Sequence, residues 1–447
     1  MNRSFLKFAL SAFFLSALSL CFVSAGFGAE NRAAAAKAPA LGLGNYADVY
    51  LSGFYDVLHV FRVREMGKIG EGCKIATQRK LAGGRIMSNI GTPHIMYAGA
   101  CASDVPGNPN IAPDPYEAHN TFARLDSLGA GDFAIVANPM ANVKAARDRG
   151  CFVLGIGFPM TTNRYSPANF NDFPDTPIES MVNLMIYDWA PKEDGLVTPR
   201  LTPTPHLRIL PTSPMTVVEY WTITAQLAKN LASADTSGDF SAAAAYVDTL
   251  MARLELFHDR NIAEINRAGE RMAEKILAGG KMIPWSSRGE FFAEASGTAG
   301  GLMGIYPLKV ETLTKNDVVI LAAAAATPEK EIETARQIRA RGAFLIGIFP
   351  SRREDGVSTE PLRKLCDLSF DNLSGDHYGI FTVKGYPHKI IPTTVMMNNF
   401  AYWALTGAYV QAMEKRGIAP YYWMSFHVPG GKEYDDSIRP LYEKRGY

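Results

Sequence analysis

The chain carries one series of segments twice, and this feature constrains its fold more than any other. LAGGRIMSN from Leu81 corresponds to LAGGKMIPW from Leu277, and a long helical pattern precedes each. The strand pattern GDFAIVANP corresponds to NDVVILAAAA, and NVKAARDRGCFVLGIGFP corresponds to EIETARQIRARGAFLIGIFP. Finally, ILPTSPMTVVEYW corresponds to IIPTTVMMNNFAYW. Five matches in the same order predict a duplicated domain rather than a solenoid of short repeats.

Each copy alternates short apolar runs, rich in Val and Ile, with amphipathic helical patterns. Such runs are typical of buried parallel strands, which need crossover helices on both faces of the sheet. We therefore predict an α/β fold of two tandem three-layer α/β/α sandwiches with parallel sheets. The first domain is expected at residues 45–230 and the second at 245–447, with a small, polar seam at 230–245 between them.

Composition places the chain among globular proteins. Its 447 residues are enough for two ordinary domains, and 47% of them are hydrophobic while 20% are charged. The formal net charge is +1, and no long run of one sign occurs. This balance argues against a nucleic-acid partner, which would be expected to require a basic surface.

The N-terminus has the pattern of an export signal. MNRSFLK supplies positive charge, FALSAFFLSALSLCFV supplies the apolar stretch, and Val23-Ser24-Ala25 fits the small-x-small cleavage pattern. We expect residues 1–25 to be a signal peptide and the mature chain to begin at Gly26, in the periplasm or outside the cell. No membrane contact is expected after cleavage, and an uncleaved anchor is the alternative.

Cysteine and histidine usage predicts neither a cofactor nor a metal site. Cys73, Cys101, Cys151 and Cys366 would remain after cleavage, without a CxxC motif. Export permits disulfides, but the even number does not fix any pairing. Cys151 lies in the apolar strand pattern CFVLGIG and is expected to be a buried thiol. The eight histidines are scattered and form no HExxH-type spacing.

Polar residues follow the first predicted strand of the second copy, in the stretch PWSSRGEFFAEASGTAGGL. Ligands of open parallel sheets bind outside the carboxyl ends of the strands, where helix N-termini present free amides. Ser286 and Ser287 could bind an oxygen-rich ligand, and Arg288 could clamp an anion. Glu290 and Glu294 lie four positions apart, on one face of a helix. The alternatives are helix capping for the serines, an ion pair of Arg288 with Glu290, and solvated surface glutamates.

A second polar cluster, DNLSGDH, follows the last predicted strand. It contains Asp371, Asn372, Asp376 and His377, on an edge of the sheet whose loops commonly carry function. The alternative is turn chemistry, because Asp, Asn, Ser and Gly are common turn formers. In the helix that follows, Asn398 and its neighbour Asn399 either pair inside the core or face the ligand.

These motifs resemble the SIS family, the sugar isomerase and phosphosugar-binding domains. SSRGEFFAEASGTAGGL is similar to a family stretch in which a Ser-bearing turn precedes Ala-Glu-Glu, an aromatic residue and Ala-Gly-Gly-Leu. CDLSFDNLSGD and PYYWMSFHVPGGKEYDDSIRPLYEKRGY resemble the family's last strand and closing segment. The resemblance covers residues 240–447 and extends to the first copy only through the duplication. The second copy resembles the bacterial "sugar isomerase domain-containing" subgroup in particular.

The resemblance implies a carbohydrate-derivative ligand and, in the enzymatic version, aldose–ketose isomerisation. Glu294 matches a family glutamate and would act as the general base between C1 and C2. His377 would open the sugar ring by moving a proton. SIS domains commonly pair, so the two copies would form an internal pseudo-dimer with a degenerate first copy, and a homo-oligomer is allowed.

The chain departs from the family at the phosphate-binding loop. SIS domains that bind phosphosugars typically carry Ser-x-Ser-Gly-x-Thr after the second strand, whereas the second copy has AAAAATPEKE there and keeps a hydroxyl only at Thr327. A phosphate dianion needs several donors or a cation to offset its desolvation. Half of the usual cradle is therefore missing.

Three functional hypotheses remain. The first is an exported SIS-type carbohydrate-derivative-binding protein, with sugar isomerase activity as its enzymatic version. The second is a noncatalytic carbohydrate-sensing or scaffold protein. The third is a two-lobed periplasmic solute-binding protein, which ranks last because each copy appears complete, whereas such proteins have strands that cross between lobes.

Overall fold

A computed structural model of the chain describes residues 45–89, 118–119, 122–137, 141–157, 178–191, 195–201, 207–287, 290–323, 329–354, 356–375, 379–385, 389–424 and 430–447. Several predicted features lie outside these residues: the signal peptide at 1–25, Cys101, Arg288, Thr327, Asp376 and His377. Of Glu290, only the backbone is described. Within the described ranges, no helix has the length and apolar character needed to cross a membrane.

The first sheet has five parallel strands in the order β2-β1-β3-β4-β5. Its strands are β1 Ile86–Asn89, β2 Ala118–His119, β3 Phe133–Val136, β4 Phe152–Gly157 and β5 Leu184–Tyr187. A short antiparallel pair follows, β6 Gly195–Val197 with β7 Ile209–Pro211. The described chain therefore forms this first sheet before residue 200, within the predicted first copy.

The second sheet has four parallel strands in chain order. They are β8 Met282–Trp285, β9 Val318–Ala322, β10 Phe344–Phe349 and β11 Leu368–Asp371. All five residues of β9 and all six of β10 are buried, as expected for strands with helices on both faces. Each sheet draws its strands from one half of the chain, which disfavours the crossing strands of a two-lobed solute-binding protein.

Helices supply the other layers. The α-helices of the described residues are α1 Tyr46–Arg64, α2 Met66–Leu81, α3 Ala141–Asp148, α4 Met215–Ser233, α5 Ser241–Leu277, α6 Glu290–Gly297, α7 Glu329–Ala340, α8 Glu360–Arg363, α9 Thr394–Lys415 and α10 Gly431–Arg445. Short 3-10 turns occupy Phe122–Ser127, Ile178–Ser180 and Val310–Thr312. The predicted seam at 230–245 holds the end of α4 and the start of α5.

A layer of helices lies between the two sheets. Helix α4 contacts β4 of the first sheet, α9 contacts β10 of the second, and both pack against α5. The largest apolar core occupies this layer, while a smaller core lies under α3 and another under α7 and α8. Each sheet thus has helices on both faces, and the predicted fold class of two α/β/α sandwiches with parallel sheets is confirmed.

Sequence explains why α9 lies at the centre. TVMMNNFAYWALTGAYVQAMEK is apolar around nearly its whole circumference, and a helix of this kind must be buried on all sides. Residues 394–410 of this helix are all buried. Helix α5 approaches it closely at Gly269, where an added Cβ would come within 2.4 Å of the carbonyl carbon of Ala408.

An aspartate just before a strand accepts backbone hydrogen bonds at corresponding positions of the two sheets. Asp132 accepts hydrogen bonds from the amides of Arg85, at 2.9 Å, and Gly129, at 3.0 Å. Asp317 accepts them from the amides of Lys281, at 2.8 Å, and Thr314, at 2.6 Å. Each aspartate therefore ties the start of its own strand to the start of the neighbouring one.

Unusual backbone conformations also recur at corresponding positions. Trp189 and Leu373, each two residues after the last strand of a sheet, have φ of 60° and 58°. Leu210 and Ile391, in the matching ILP and IIP segments, have φ of 61° and 66°. Left-handed conformations are uncommon for residues other than Gly, so paired occurrences reflect a shared local backbone.

Three cysteines in the described chain are free thiols. Cys73 and Cys151 are buried, as predicted for Cys151, and Cys366 is partly buried. Burial raises the pKa of Cys151 and that of Cys366 to about 12, which makes either thiol a poor nucleophile at neutral pH.

Candidate functional site

The two polar clusters predicted from the sequence lie on one edge of the second sheet. Ser286 and Ser287 directly follow β8, and Asn372 directly follows β11. Since all four strands are parallel, their carboxyl ends share this edge. Ligands bind at this edge in open α/β sheets, so its buried polar groups define the candidate site.

Ser287 links the end of β8 to the first turn of α7. Its hydroxyl donates to Oε1 of Glu331 at 2.5 Å, and Lys330 Nζ donates to the Ser287 carbonyl at 2.7 Å. Glu331 is fully buried, with 0% of its surface exposed. In sequence it is one of several acidic residues in TPEKEIE, a pattern typical of an exposed helix start, so no signal distinguished it.

Glu331 holds its proton more firmly than an ordinary glutamate. Burial raises the pKa of its carboxyl, and the hydrogen bonds from Ser287 and from its own backbone amide oppose that rise only in part. Its second oxygen, Oε2, is buried and has no hydrogen-bond partner among the described residues. One oxygen of the carboxyl is thus fixed by Ser287, and the other is buried without a partner among the described residues.

Ser286 is the second buried polar group without a partner on this edge. It is 2% exposed, and its Oγ has no hydrogen-bond partner within the described chain. Buried polar side chains usually find a partner in protein or ordered water, so an unpaired hydroxyl beside a strand end calls for a functional explanation. A hydroxyl can both donate to and accept from a sugar hydroxyl.

Glu294, the predicted general base, is fully buried in α6 rather than solvated. Burial, and secondarily the nearby charge of Glu294, raises the pKa of Tyr50 from α1. Burial and Glu294 also raise the pKa of Tyr402 from α9, whose ring packs edge-on against Phe291 at 5.2 Å. Glu294 therefore lies among the aromatic side chains of the central layer.

A pair of buried amides joins β11 to α9. Asn372 Nδ2 donates to Asn398 Oδ1 at 2.7 Å, and Asn372 Oδ1 accepts from the Ser374 hydroxyl at 2.8 Å. Neither side-chain amide atom of Asn399 has a hydrogen-bond partner in the described residues, although Asn399 is fully buried. One of the two α9 amides therefore pairs inside the protein, and the other offers a donor and an acceptor.

Asp371 uses its carboxylate to shape the turn after β11. Oδ1 accepts the amides of Ser351 and Leu373, both at 3.0 Å, and Oδ2 accepts the Ser351 hydroxyl at 2.5 Å. These bonds join the segments that follow β10 and β11. Asp371 thus shows the turn chemistry that was the alternative to ligand binding.

The edge of the first sheet holds carboxyls that sequence reasoning missed. Glu219 of α4 is fully buried, and its Oε1 accepts the amide of Gly157, the last residue of β4, at 3.0 Å. Asp188, which follows β5, is 3% exposed. Burial raises its pKa to about 7. Burial and the charge of Asp188 raise the pKa of Glu219 well above its ordinary value.

Within the described residues, no group of three or more His, Cys, Asp or Glu side chains could hold a metal ion. The polar groups on the second-sheet edge are mainly hydroxyls and amides, from Ser286, Ser287, Asn372 and Asn398, together with the Glu331 carboxyl. Such groups form hydrogen bonds with neutral polyhydroxylated molecules.

Comparison with known proteins gives remote structural similarities. No protein-family profile matches the sequence, and no curated protein matches it. A candidate phosphosugar isomerase from Clostridium difficile 630 has a TM-score of 0.48 and 9% identity, over 88% of this chain and 98% of that one.

Two further structures have similarly low TM-scores and sequence identities. A candidate phosphosugar isomerase from Silicibacter pomeroyi DSS-3 has a TM-score of 0.45 and 11% identity, over 85% of this chain and 100% of that one. The C-terminal domain of glucosamine-fructose-6-phosphate aminotransferase from Francisella tularensis has a TM-score of 0.39 and 12% identity, over 80% and 96%. The chain is similar to these structures only at a distance, with identities of 9–12%.

Proposed function

We propose that this protein is an exported, SIS-type carbohydrate-binding protein whose ligand sits at the carboxyl edge of the second sheet. The observation that supports this most is that the buried polar atoms without partners in the described residues include Ser286 Oγ and Glu331 Oε2 at this edge, together with the amide of Asn399, the neighbour of Asn398. Leaving such groups unsatisfied costs free energy, which a ligand rich in hydroxyls would recover.

We further propose that the chain arose by duplication of one α/β unit. Support comes from the aspartates at corresponding strand starts and from the matching left-handed residues after the last strand of each sheet. The helical layer between the sheets is the arrangement expected of two paired domains within one chain. The boundaries 45–230 and 245–447 remain predictions.

The enzymatic version of the proposal is aldose–ketose isomerisation. Glu294 would take the C2 proton of the open-chain aldose and return it to C1, while the hydroxyl proton moves from O2 to O1. His377, outside the described residues, would open the sugar ring. The test is an isomerase assay that follows exchange of the C2 proton with solvent deuterium. Loss of exchange in Glu294→Gln with retained sugar binding would support the enzyme.

The noncatalytic sensing or scaffold alternative draws support from the full burial of Glu294 among aromatic side chains. A general base must come within hydrogen-bond reach of the proton it takes. Binding without any proton exchange would favour this alternative over the isomerase.

Binding itself is tested by a thermal-shift screen of neutral sugars, amino sugars, uronic acids and sugar phosphates. A ligand at a hundred times its dissociation constant stabilises the folded state by about 2.7 kcal/mol, which is readily measured. A shift that is lost in Ser286→Ala supports the site. If no compound in the screen shifts the transition, the carbohydrate proposal fails.

Export is tested separately, by N-terminal sequencing of the protein after expression in a bacterial host. A mature chain that begins at Gly26 and is found outside the cytoplasm supports the signal peptide. An intact N-terminus in the cytoplasmic fraction contradicts it, and an intact N-terminus in the membrane fraction favours the uncleaved anchor.

A further inference from the structure

The N-terminus of α7 is where an anion would be expected to bind. This helix follows β9 and begins at the carboxyl edge of the second sheet, with free amides in its first turn. Phosphate and other anions bind at such helix starts because the amides and the helix dipole both favour negative charge. A phosphate can bind at this helix start only if the donors there are not already bonded to another acceptor.

A side chain of the protein already occupies this place. Glu331 lies in the first turn of α7, and its carboxyl accepts a hydrogen bond from the Ser287 hydroxyl. A serine hydroxyl at a strand end is a donor of the kind that holds a phosphate in other proteins. Here it serves an internal carboxyl that is fully buried.

The nearby lysine, Lys330, does not provide a positive charge on the inner side of this turn. Lys330 is exposed, and its Nζ donates to the backbone carbonyl of Ser287 at 2.7 Å. Its charge therefore lies on the solvent side of the turn, whereas the carboxyl of Glu331 lies inside. A dianion brought to the inner side would meet a buried acidic group before it met this cation.

The first sheet also has a buried carboxyl at the ends of its strands. Glu219 Oε1 takes the amide of Gly157 at the end of β4, and its Oε2 has no partner among the described residues. Glu219 comes from α4, an element that corresponds to α9 rather than to α7. At both edges, an internal carboxyl thus accepts a hydrogen bond from a residue at the carboxyl end of a strand: the Ser287 hydroxyl at one and the Gly157 amide at the other.

From these contacts we infer that the second-sheet site takes an unphosphorylated sugar and rejects sugar phosphates, with Glu331 as the residue that discriminates. The free oxygen of Glu331 and the hydroxyl of Ser286 bind sugar hydroxyls, which can both donate and accept. A phosphate would instead lose its solvation beside a buried acidic group that already holds the Ser287 hydroxyl. This inference rests on the proposed carbohydrate function and names the ligand class of the same site.

The test is calorimetry on the purified full chain with matched pairs: glucose and glucose 6-phosphate, glucosamine and glucosamine 6-phosphate, fructose and fructose 6-phosphate. We expect at least one sugar to bind about tenfold or more tightly than its phosphate, a ratio typical of one unfavourable charged contact. Glu331→Gln should narrow that ratio by a similar factor, because the amide keeps an acceptor for Ser287 and removes the acidic group.

The matched control is Glu333→Gln on the same helix. Glu333 has an exposed side chain, 59% accessible, and pairs with Arg336, so this change removes an equal formal charge without altering the buried carboxyl. If the preference for the sugar over its phosphate falls equally in Glu331→Gln and Glu333→Gln, Glu331 is not the residue that discriminates. A phosphate that binds the wild type as well as its parent sugar would overturn the inference and leave carbohydrate binding intact. Failure of every compound to bind would overturn both.

Because the comparison within the wild type needs no variant, it decides the ligand class even if Glu331→Gln does not fold. Ser287→Ala provides a second variant, since it removes the hydroxyl that fixes Glu331 but leaves the acidic group in place. It should weaken binding of the sugar while the sugar still binds more tightly than its phosphate. A Ser287→Ala protein that prefers the phosphate would contradict the inference.

Discussion

Asn372 and Asn398 connect the end of the second sheet to the central helix through one hydrogen bond of 2.7 Å. Both side chains are fully buried, and 26 positions separate them along the chain. Asn372 also accepts from the amide and hydroxyl of Ser374, which fixes the turn after β11. A strand end, a turn and α9 are therefore positioned by one side-chain amide.

The first prediction concerns this amide pair. Asn398→Ala should destabilise the protein by about 1–3 kcal/mol, because Asn372 Nδ2 would remain buried without its acceptor. Urea unfolding of the wild type and the variant measures this change. Asn399→Ala is the control, since Asn399 is equally buried but has no described partner to leave unpaired, and it should cost less. Equal losses would contradict the importance of the pair.

The second prediction concerns the crossing of α5 and α9. An added Cβ at Gly269 would lie 2.4 Å from the carbonyl carbon of Ala408 and 2.6 Å from its Cβ. Gly269→Ala should therefore destabilise the protein by about 1–3 kcal/mol or more, although Ala is the better helix former. Gly67→Ala in α2 is the control, because nothing lies within 4 Å there.

Thermal unfolding of both glycine variants decides the second prediction. The Gly67 variant should be unchanged or more stable, by up to about 1 kcal/mol, from helix propensity alone. If Gly269→Ala behaves like Gly67→Ala, the two helices do not approach as closely as described.

The layered fold could be predicted from sequence because period and composition determine it. Short runs rich in Val and Ile, such as VVILA and FLIGIF, favour strands buried on both faces, and the matched segments place them in the same order in each half. Each of the predicted strands that lies in the described residues is present. The helical layer between the sheets was anticipated only as a pairing of copies, because sequence periodicity does not say which helices meet.

The candidate site was predicted in part. Ser286, Ser287 and Asn372 were found because hydroxyls and amides after an apolar strand mark the functional edge of a sheet. Glu331 and Glu219 were missed because burial, not residue type, makes them unusual. In sequence, Glu331 resembles any acidic helix start, and Glu219 stands in an apolar run where only the fold shows that it meets Gly157.

The third prediction concerns His258, which joins α5 to α1. Its Nε2 lies 2.6 Å from Asp48 Oδ1, and its Nδ1 lies 3.2 Å from Asp259 Oδ1. The hydrogen bond with Asp48 is the largest cause that raises the pKa of His258 above its ordinary value of 6.5. The folded state therefore holds the His258 proton more firmly than the unfolded chain does. The stabilisation that protonated His258 gives the folded state is complete below pH 6.5 and is lost as pH rises through the raised pKa.

Thermal unfolding at about pH 6 and about pH 9 tests the histidine. Because the pair is partly exposed, the effect should be only about 0.2–1 kcal/mol. His258→Gln should lose this part of the pH dependence, whereas His59→Gln, at an exposed position of α1, should retain it. A His258→Gln protein that follows the wild type at both pH values would rule out the contribution.

The last prediction concerns Asp188, whose pKa burial raises to about 7. In the unfolded chain this carboxyl ionises near its ordinary value of 3.8, so between the two values the folded state binds more protons. The contribution of Asp188 to stability should therefore fall as pH rises from about 4 to about 7 and level off above that range, by at most about 4 kcal/mol.

Asp188→Asn keeps an acceptor for the Ala190 amide, which Asp188 binds at 2.9 Å, but cannot ionise. It should lose this pH dependence and be more stable than the wild type above neutral pH. Urea unfolding across the range measures both effects, with Asp126→Asn at an exposed position as the control. Burial and the charge of Asp188 also raise the pKa of the nearby Glu219 carboxyl. Asp188→Asn removes that charge and should therefore make Glu219 easier to ionise. If Asp188→Asn and Asp126→Asn show the same profile as the wild type, Asp188 is not the group that titrates.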